Sequence, residues 1–337
     1  MFDRRVRIGL DVGHYSIKAA IYAADRRRLL ELREVELLPG REYIDDKPSD
    51  EQKEEAIRAI LGTAAEPSPR VKPAVIAALP DEVAICRYFE LPQLEKARED
   101  TAVRTAVMKY IPYSLEDAEL TYVPIAPLKE DKEMTGIFAV SVRKSMHQSL
   151  RQVIEACGAS AQHFEIASLA LLKQFLAYRP APSAEYSALI NVGSRLTSII
   201  IVRGSSPYYN RSFLLGGRNF THAFQMGHQS SWKDAEAYKR SYDAMRREIA
   251  LEPVLQKWLN QVKKTLAAFE AFDKSGDAAV GEIFLTGGGA SLKGLDARLQ
   301  EYVETRVSFE RWDRVAPGEN QGGAPLASFG VALGIAL

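Results

Sequence analysis

The sequence contains little cysteine and has no excess of charge. Only Cys86 and Cys157 are present among the 337 residues, too few for a disulfide framework or a cysteine-based metal site. A reducing cytoplasm is therefore the expected compartment. Lys and Arg together number 44, as do Asp and Glu, so the formal net charge is zero. This balance argues against a polybasic surface that binds nucleic acid or membrane.

Long hydrophobic runs are also missing. No apolar stretch approaches the roughly 18–20 residues that a membrane-spanning helix needs, so we expect no direct membrane insertion. The apolar content of 46% and charged content of 26% are typical of a globular protein. The length suggests about two domains.

Several catalytic fingerprints are absent as well. The sequence has no G-x-x-x-x-G-K-[ST] and no strand-coupled G-x-G-x-x-G, which argues against P-loop and Rossmann proteins. It also has no nucleophile-elbow motif. The five histidines are scattered without the spacing of metal ligands.

What the sequence does contain is a set of three glycine turns, each directly after an apolar strand. They lie at Asp11–Gly13, Asn191–Gly193 and Gly287–Gly289. Glycine lets backbone N–H groups approach phosphate oxygens closely. Beside the first turn, Ser16 can add a hydroxyl donor, Lys18 a countercharge, and Asp11 a ligand for hydrated Mg²⁺.

Two of these turns belong to an internal repeat. The segment from Leu189 to Val202 follows the one around Leu10 to Tyr22 by 180 residues without gaps. Val, Gly and Ile recur at matching positions, while Asp11 becomes Asn191. A repeat at this distance indicates two copies of one domain fold.

With these motifs, the sequence resembles the actin-like ATPase superfamily over nearly its whole length. The resemblance implies an α/β fold of two duplicated RNase H-like halves with 1C-type and 2B-type inserts. The implied boundaries are 1–80 plus 162–185 for subdomain 1A, 81–161 for 1C, 186–215 plus 265–337 for 2A, and 216–264 for 2B. Gly330 and Gly334 are expected where two connecting helices cross.

The same resemblance implies a site for ATP and Mg²⁺ between the halves. The first phosphate loop would contribute Asp11, Gly13, His14, Tyr15, Ser16 and Lys18, and the second Gly193, Ser194 and Arg195. The adenosine side would use Gly216, Gly217, Glu236, Lys239, Gly287, Gly288, Gly289 and Leu292. Asp11 and Asn191 are the expected metal residues, and Glu165, expected on the helix after the insert, is the candidate for orienting a water.

Within the superfamily the sequence is most similar to the PilM-type type IV pilus assembly proteins, which are related to FtsA. The insert begins directly at Asp81, and Tyr110-Ile111-Pro112-Tyr113-Ser114 resembles a helix-end motif of that family. The similarity implies a cytoplasmic protein held at the inner membrane by a PilN-like bitopic partner, through the partner's cytoplasmic N-terminal peptide. Self-association is a further expectation.

One residue departs from the family pattern. Asn191 stands where the family usually has Asp to position Mg²⁺ and the attacking water. A unit charge about 4 Å from another is worth up to ~4 kcal/mol at an effective dielectric constant near 20. We therefore predict that the protein binds ATP but hydrolyses it slowly or not at all.

Two other functions stay open at this level. A type II secretion or FtsA-like filament protein shares the fold and is poorly separated by sequence. A small-molecule kinase on the same fold would need a general-base Asp near the second phosphate loop, and Asn191-Val192-Gly193-Ser194-Arg195 contains none.

Overall fold

The structure is a computed structural model that describes residues 6–23, 28–37, 48–64, 72–128, 131–179, 185–273, 279–310 and 326–337. Its first half opens with an antiparallel hairpin, then a third strand, a helix and a strand that returns parallel to the first. These elements are β1 (Val6–Val12), β2 (Ser16–Ala23), β3 (Leu29–Glu36), α1 (Asp50–Ala64) and β4 (Ala74–Leu79).

An insert follows β4 and forms a small sheet of its own. A short 3-10 helix at Asp81–Val83 leads into it. The middle strand of this sheet, Met134–Arg143, pairs antiparallel with both neighbouring strands. The helix of the insert covers the sheet by packing Val103 and Val107 near Ile137. The elements of the insert are β5 (Ala84–Pro92), α2 (Lys96–Val107), β6 (Ala118–Ile125) and β7 (Met134–Arg143).

The chain then returns to the first half through α3 (Lys144–Ala156), β8 (Ser160–Ile166) and α4 (Ala167–Tyr178). Strand β8 pairs parallel with β4, so the order of the first sheet is β3-β2-β1-β4-β8. Helix α3 packs against α1 and β8. These contacts place α3 against the first half, although its residues lie within 81–161, the range predicted for the insert.

The boundary between β8 and α4 corrects one prediction. Glu165 pairs with Ala78 in the β4–β8 register, and the helix begins only at Ala167. The prediction that Glu165 lies on the helix after the insert is therefore wrong. Strand β8 was missed because its residues, Ser-Ala-Gln-His-Phe-Glu-Ile, do not alternate cleanly between apolar and polar.

The second half repeats the first. Its sheet has the order β11-β10-β9-β12-β13, which matches the first sheet strand for strand. Asp11 pairs with Lys18 in the first hairpin, and Asn191 pairs with Ser198 in the second, again 180 residues apart. The predicted duplication is confirmed. The elements are β9 (Tyr186–Val192), β10 (Thr197–Arg203), β11 (Ser206–Phe213), α5 (Gly217–His228), α6 (Trp232–Ser241), α7 (Glu252–Phe272), β12 (Val280–Thr286), α8 (Leu295–Val303), β13 (Arg306–Phe309) and α9 (Gly330–Ala336).

Helices α4 and α9 cross between the two sheets. A Cβ built on Gly334 would lie 1.8 Å from the carbonyl oxygen of Ala170, so only glycine permits this approach. The apolar cluster around the crossing contains residues of both sheets, among them Ile76 and Phe284. The two halves thus share a core directly beneath the groove between them. Within the described ranges, no helix combines the length and apolar character needed to cross a bilayer.

Candidate functional site

A cavity of about 630 Å³ lies between the two halves, above the crossing of α4 and α9. Small-molecule sites are usually clefts of roughly 300–1,000 Å³. The cavity is lined by the turn after β1, the turn after β9, the turn after β12, the start of α5, and α6. All the site residues predicted from sequence line it except Glu165 and Gly216.

The two exceptions lie outside the lining. A Cβ on Gly216 would come within 2.6 Å of the carbonyl oxygen of Gly193, so this glycine supports the second turn from behind. Glu165 instead pairs with Lys173, whose Nζ lies 2.7 Å from its Oε2. This placement gives no support to a role for Glu165 in orienting a water in the cavity.

The first turn joins β1 and β2 and is closed by a hydrogen bond from Gly13 N to Ser16 O of 3.2 Å. Lys18 Nζ donates to Ser16 Oγ at 2.6 Å and lies 3.1 Å from Glu34 Oε1. Glu34 comes from the neighbouring strand, where it pairs with Lys18 in register. The positive charge of Lys18 is therefore partly balanced by Glu34, a partner that was not predicted from the sequence.

The second turn has the same form and is fixed to the start of α5. Gly193 N donates to Leu196 O at 2.9 Å. Gly217 N donates to Gly193 O at 2.9 Å, and Arg218 N donates to Ser194 O at 2.8 Å. The first backbone N–H groups of α5 thus hold the carbonyl oxygens of the second turn and fix its conformation.

The third turn brings the end of β12 against the second turn. Gly287 has a φ of +97°, and a Cβ there would lie 2.4 Å from Asn191 Oδ1. Both the backbone conformation and the close approach require glycine. Gly288 differs, because the nearest atom to its Cβ position is the Cβ of Ser328 at 3.6 Å. A side chain at Gly288 would therefore enter the cavity without a clash at its Cβ.

A buried ion pair on α6 forms one wall. Lys239 Nζ donates to Glu236 Oε2 at 2.6 Å, to Thr221 Oγ1 at 2.7 Å and to Gly217 O at 3.3 Å. Burial lowers the pKa of Lys239, against the effect of Glu236. Burial raises the pKa of Glu236. The Lys239 ammonium and the hydrogen bond from Thr221 together lower this pKa by more than burial raises it, so its net shift is downward. The pair fixes α6 to the start of α5.

Burial raises the pKa of two of the carboxylates that line the cavity, Asp11 and Asp81. The Lys18 ammonium opposes the rise in the pKa of Asp11. Hydrogen bonds from Ser168 and Ser198 oppose the rise in the pKa of Asp81. Across the described part of the chain, no group of three or more His, Cys, Asp or Glu side chains could hold a metal ion. Mg²⁺ commonly uses one or two carboxylates together with substrate phosphates, so Asp11 suits such a site.

Sequence reasoning missed several residues of the lining. Asp81 and Pro80 follow β4 at the carboxyl end of a buried strand, a position that could have drawn attention to them. Ser198, Arg218 and Ser291 lie in the segments of the repeat and the glycine turns but were not predicted as site residues. Other polar residues of the lining reach the cavity only through tertiary packing; they include Glu34, Glu36, Trp232, Arg240 and Ser328.

Two repeats of one sheet topology, crossed helices between them, and a cleft lined by glycine turns from both repeats define an actin-like ATPase fold. Solved structures with this fold agree. EutJ from Carboxydothermus hydrogenoformans is 12% identical with a TM-score of 0.57, over 98% of this chain and 89% of EutJ. MreB5 of Spiroplasma citri bound to ADP is 12% identical with a TM-score of 0.56, over 98% of this chain and 94% of MreB5.

A third structure is more similar still. It is a PilM-PilN type IV pilus biogenesis complex, 23% identical with a TM-score of 0.80, over 99% of this chain and 98% of that one. The family model for type IV pilus assembly protein PilM matches residues 9–316. The chain therefore belongs to the PilM family of type IV pilus assembly proteins.

Proposed function

We propose that this protein binds ATP with Mg²⁺ in the cleft between its halves and serves as a nucleotide-dependent scaffold in type IV pilus assembly. The observation that carries the proposal is the convergence of all three glycine turns on one cavity of about 630 Å³. The glycine turns and the cationic side chains of Lys18 and Arg195 at this cavity suit a polyphosphate. Family membership supports the link to pilus assembly.

In this proposal the first two turns hold the phosphates, with Asp11 and Asn191 beside the metal. Mg²⁺ would neutralise phosphate charge there. The start of α5, together with Glu236 and Lys239, would face the ribose and adenine. The turn at Gly287–Gly289 and Leu292 would pack against the adenosine.

We further propose that hydrolysis is slow or absent. Asn191 offers a neutral amide where a carboxylate would attract the metal. At the start of α4, the cavity wall is the apolar Ala167, while Glu165 is paired with Lys173 outside the lining. Neither position supplies a charged group that could orient a water for attack.

The proposed partner is a PilN-like bitopic protein of the inner membrane, which would hold this chain at the cytoplasmic face through its N-terminal peptide. The similar solved structure is of a PilM-PilN complex, and this supports the partner class. Self-association with ATP stays a prediction that sedimentation can test.

Nucleotide binding is tested by calorimetric titration with ATP, with and without Mg²⁺. We expect binding in both conditions, tighter with Mg²⁺. Asp11→Asn keeps the size of the side chain but removes its charge, and should abolish most of the Mg²⁺ enhancement. No ATP binding by the wild-type protein would refute the proposal.

The partner is tested by fluorescence titration with a peptide of the cytoplasmic N-terminus of the PilN-like protein, against a scrambled peptide of the same composition. We expect saturable binding of the native order only. Equal binding of both peptides would contradict the proposed partner.

A further inference from the structure

Three side chains from three parts of the chain meet at the edge of the cleft. His14 lies in the first turn, Arg195 in the second, and Glu82 at the start of the insert. His14 Nε2 is 3.1 Å from Arg195 Nη1 and 3.2 Å from Glu82 Oε1. Arg195 Nη1 is 3.4 Å from the same Glu82 oxygen. We refer to these three residues as the loop bridge.

The loop bridge is partly accessible to water. The exposed fractions of the side chains are 18% for His14, 27% for Glu82 and 22% for Arg195. Ion pairs at this level of exposure contribute only modestly, because water and salt screen them. A more highly charged anion can therefore take the place of the Glu82 carboxylate at a small cost.

Two of the three residues of the loop bridge face the cavity. His14 and Arg195 line it, whereas Glu82 is outside the lining and contacts them from the side of the insert. Guanidinium groups bind phosphate through paired N–H donors and remain charged at all physiological pH values. Arg195 thus presents phosphate-binding chemistry to the cavity while Glu82 serves as its anion.

We propose that Glu82 is an internal competitor that the terminal phosphate of a bound triphosphate displaces from Arg195 and His14. This inference rests on the proposed function, since it requires ATP at the two turns. A diphosphate lacks the terminal group, so it leaves Glu82 in the bridge. The side chain of Glu82 therefore distinguishes the two nucleotide states.

The position of Glu82 links this exchange to the insert. Glu82 lies in the 3-10 helix at Asp81–Val83, which passes directly into β5. Both that helix and β5 pack against β11 of the second half. Tyr88 of β5 stacks near Tyr208 of β11, with ring centroids 5.4 Å apart. Release of Glu82 thus acts at the junction where the insert meets both halves.

The test is calorimetric titration of the full chain with ATP and with ADP, each with Mg²⁺. Glu82→Gln should bind ATP roughly two- to fivefold more tightly, the range expected for loss of a screened ion pair. Its affinity for ADP should change by less. Glu95→Gln is the matched control, because Glu95 is an exposed carboxylate at the start of α2 in the same insert. It should leave both affinities unchanged.

A double-mutant cycle separates the bridge from a general charge effect. Removing a negative charge near the cleft could favour ATP through space, and that effect would persist without Arg195. In the Arg195→Gln background, Glu82→Gln should therefore alter the ratio of ATP to ADP affinity by less than in the wild-type background, since only the contact with His14 remains.

The outcomes distinguish the two proposals. If wild-type protein binds neither nucleotide, the proposed function fails and this inference fails with it. If wild-type protein binds both but Glu82→Gln leaves the affinity ratio unchanged, only this inference is overturned. A ratio that shifts equally with and without Arg195 overturns it as well.

Discussion

Asn191 pairs with Ser198 across the second hairpin, at the position where the first hairpin pairs Asp11 with Lys18. The two halves of the cleft therefore carry different chemistry on the same backbone. The first presents a carboxylate and an ammonium, and the second presents an amide and a hydroxyl. A duplicated fold has kept its geometry while its charges became asymmetric.

This asymmetry predicts the effect of Asn191→Asp. The new carboxylate would attract Mg²⁺ and favour the attacking water, so steady-state ATP hydrolysis should rise by about tenfold or more, equivalent to about 1.4 kcal/mol of activation free energy. ATP affinity should change less. Release of inorganic phosphate measures the rate.

The control for this substitution is Asn260→Asp on the exposed face of α7. Asn260 Oδ1 accepts a hydrogen bond from Tyr302, and an aspartate can keep that contact. The control should leave hydrolysis unchanged. Rapid turnover by the wild-type protein would contradict the role assigned to Asn191.

The helix crossing predicts a stability change. Gly334→Ala should lower the free energy of unfolding by about 1–3 kcal/mol, because its methyl group would overlap the carbonyl of Ala170. Gly62→Ala is the comparison, since no atom lies within 4 Å of that Cβ position in α1. It should raise the stability by roughly 0.5–1 kcal/mol. Urea unfolding measures the free energy of unfolding of both variants. Equal changes in the two variants would contradict the close approach of α4 and α9 at Gly334.

A buried ion pair predicts a pH dependence. Arg298 donates to Glu252 Oε1 at 2.6 Å and to Oε2 at 2.9 Å, and its Nη1 also donates to Ala244 O at 2.9 Å. The hydrogen bond from Arg298 is the main cause that lowers the pKa of Glu252. Since the folded-state pKa lies below the unfolded one, the pair stabilises the protein above the ordinary glutamate pKa. That contribution is lost as the pH falls through the folded-state value.

Glu252→Gln should therefore lower the free energy of unfolding by about 2 kcal/mol at neutral pH, less than for a fully enclosed pair because Glu252 is 30% exposed. The difference from wild type should shrink in acid. Glu301→Gln breaks an exposed pair with Arg247 and should cost under about 1 kcal/mol. Chemical unfolding at several pH values measures the free energy of unfolding of each variant. A difference between wild type and Glu252→Gln that does not change with pH would contradict the role of the Glu252 pKa.

The fold was predictable because its strongest signals are local. The repeat around Asp11 and Asn191 carries a glycine turn in both copies, and each copy forms an antiparallel hairpin. Gly287 and Gly334 lie where two segments of the chain approach closely, Gly287 beside Asn191 and Gly334 beside Ala170. The fold class and the family were both confirmed.

Other features depend on contacts that no local pattern encodes. Glu34 balances Lys18 only because β3 lies beside β2, and Glu82 meets Arg195 only when both halves are assembled. Glu165 was misplaced because β8, which pairs with β4 in the first sheet, has no clear apolar periodicity. The glycine turns around the cavity could be predicted, but the other lining residues and the side-chain partners could not.

The central claim is that a nucleotide occupies the cleft between the halves, and Gly288→Glu tests it most directly. The Cβ position of Gly288 meets no atom closer than 3.6 Å, so the variant should fold and extend a carboxylate into the cavity. Gly62→Glu places the same charge on the exposed face of α1 as a control. Calorimetric titration with Mg²⁺ and ATP should give at least about tenfold weaker binding for Gly288→Glu and wild-type affinity for the control. Equal affinity for wild type and both variants would contradict nucleotide binding in this cleft.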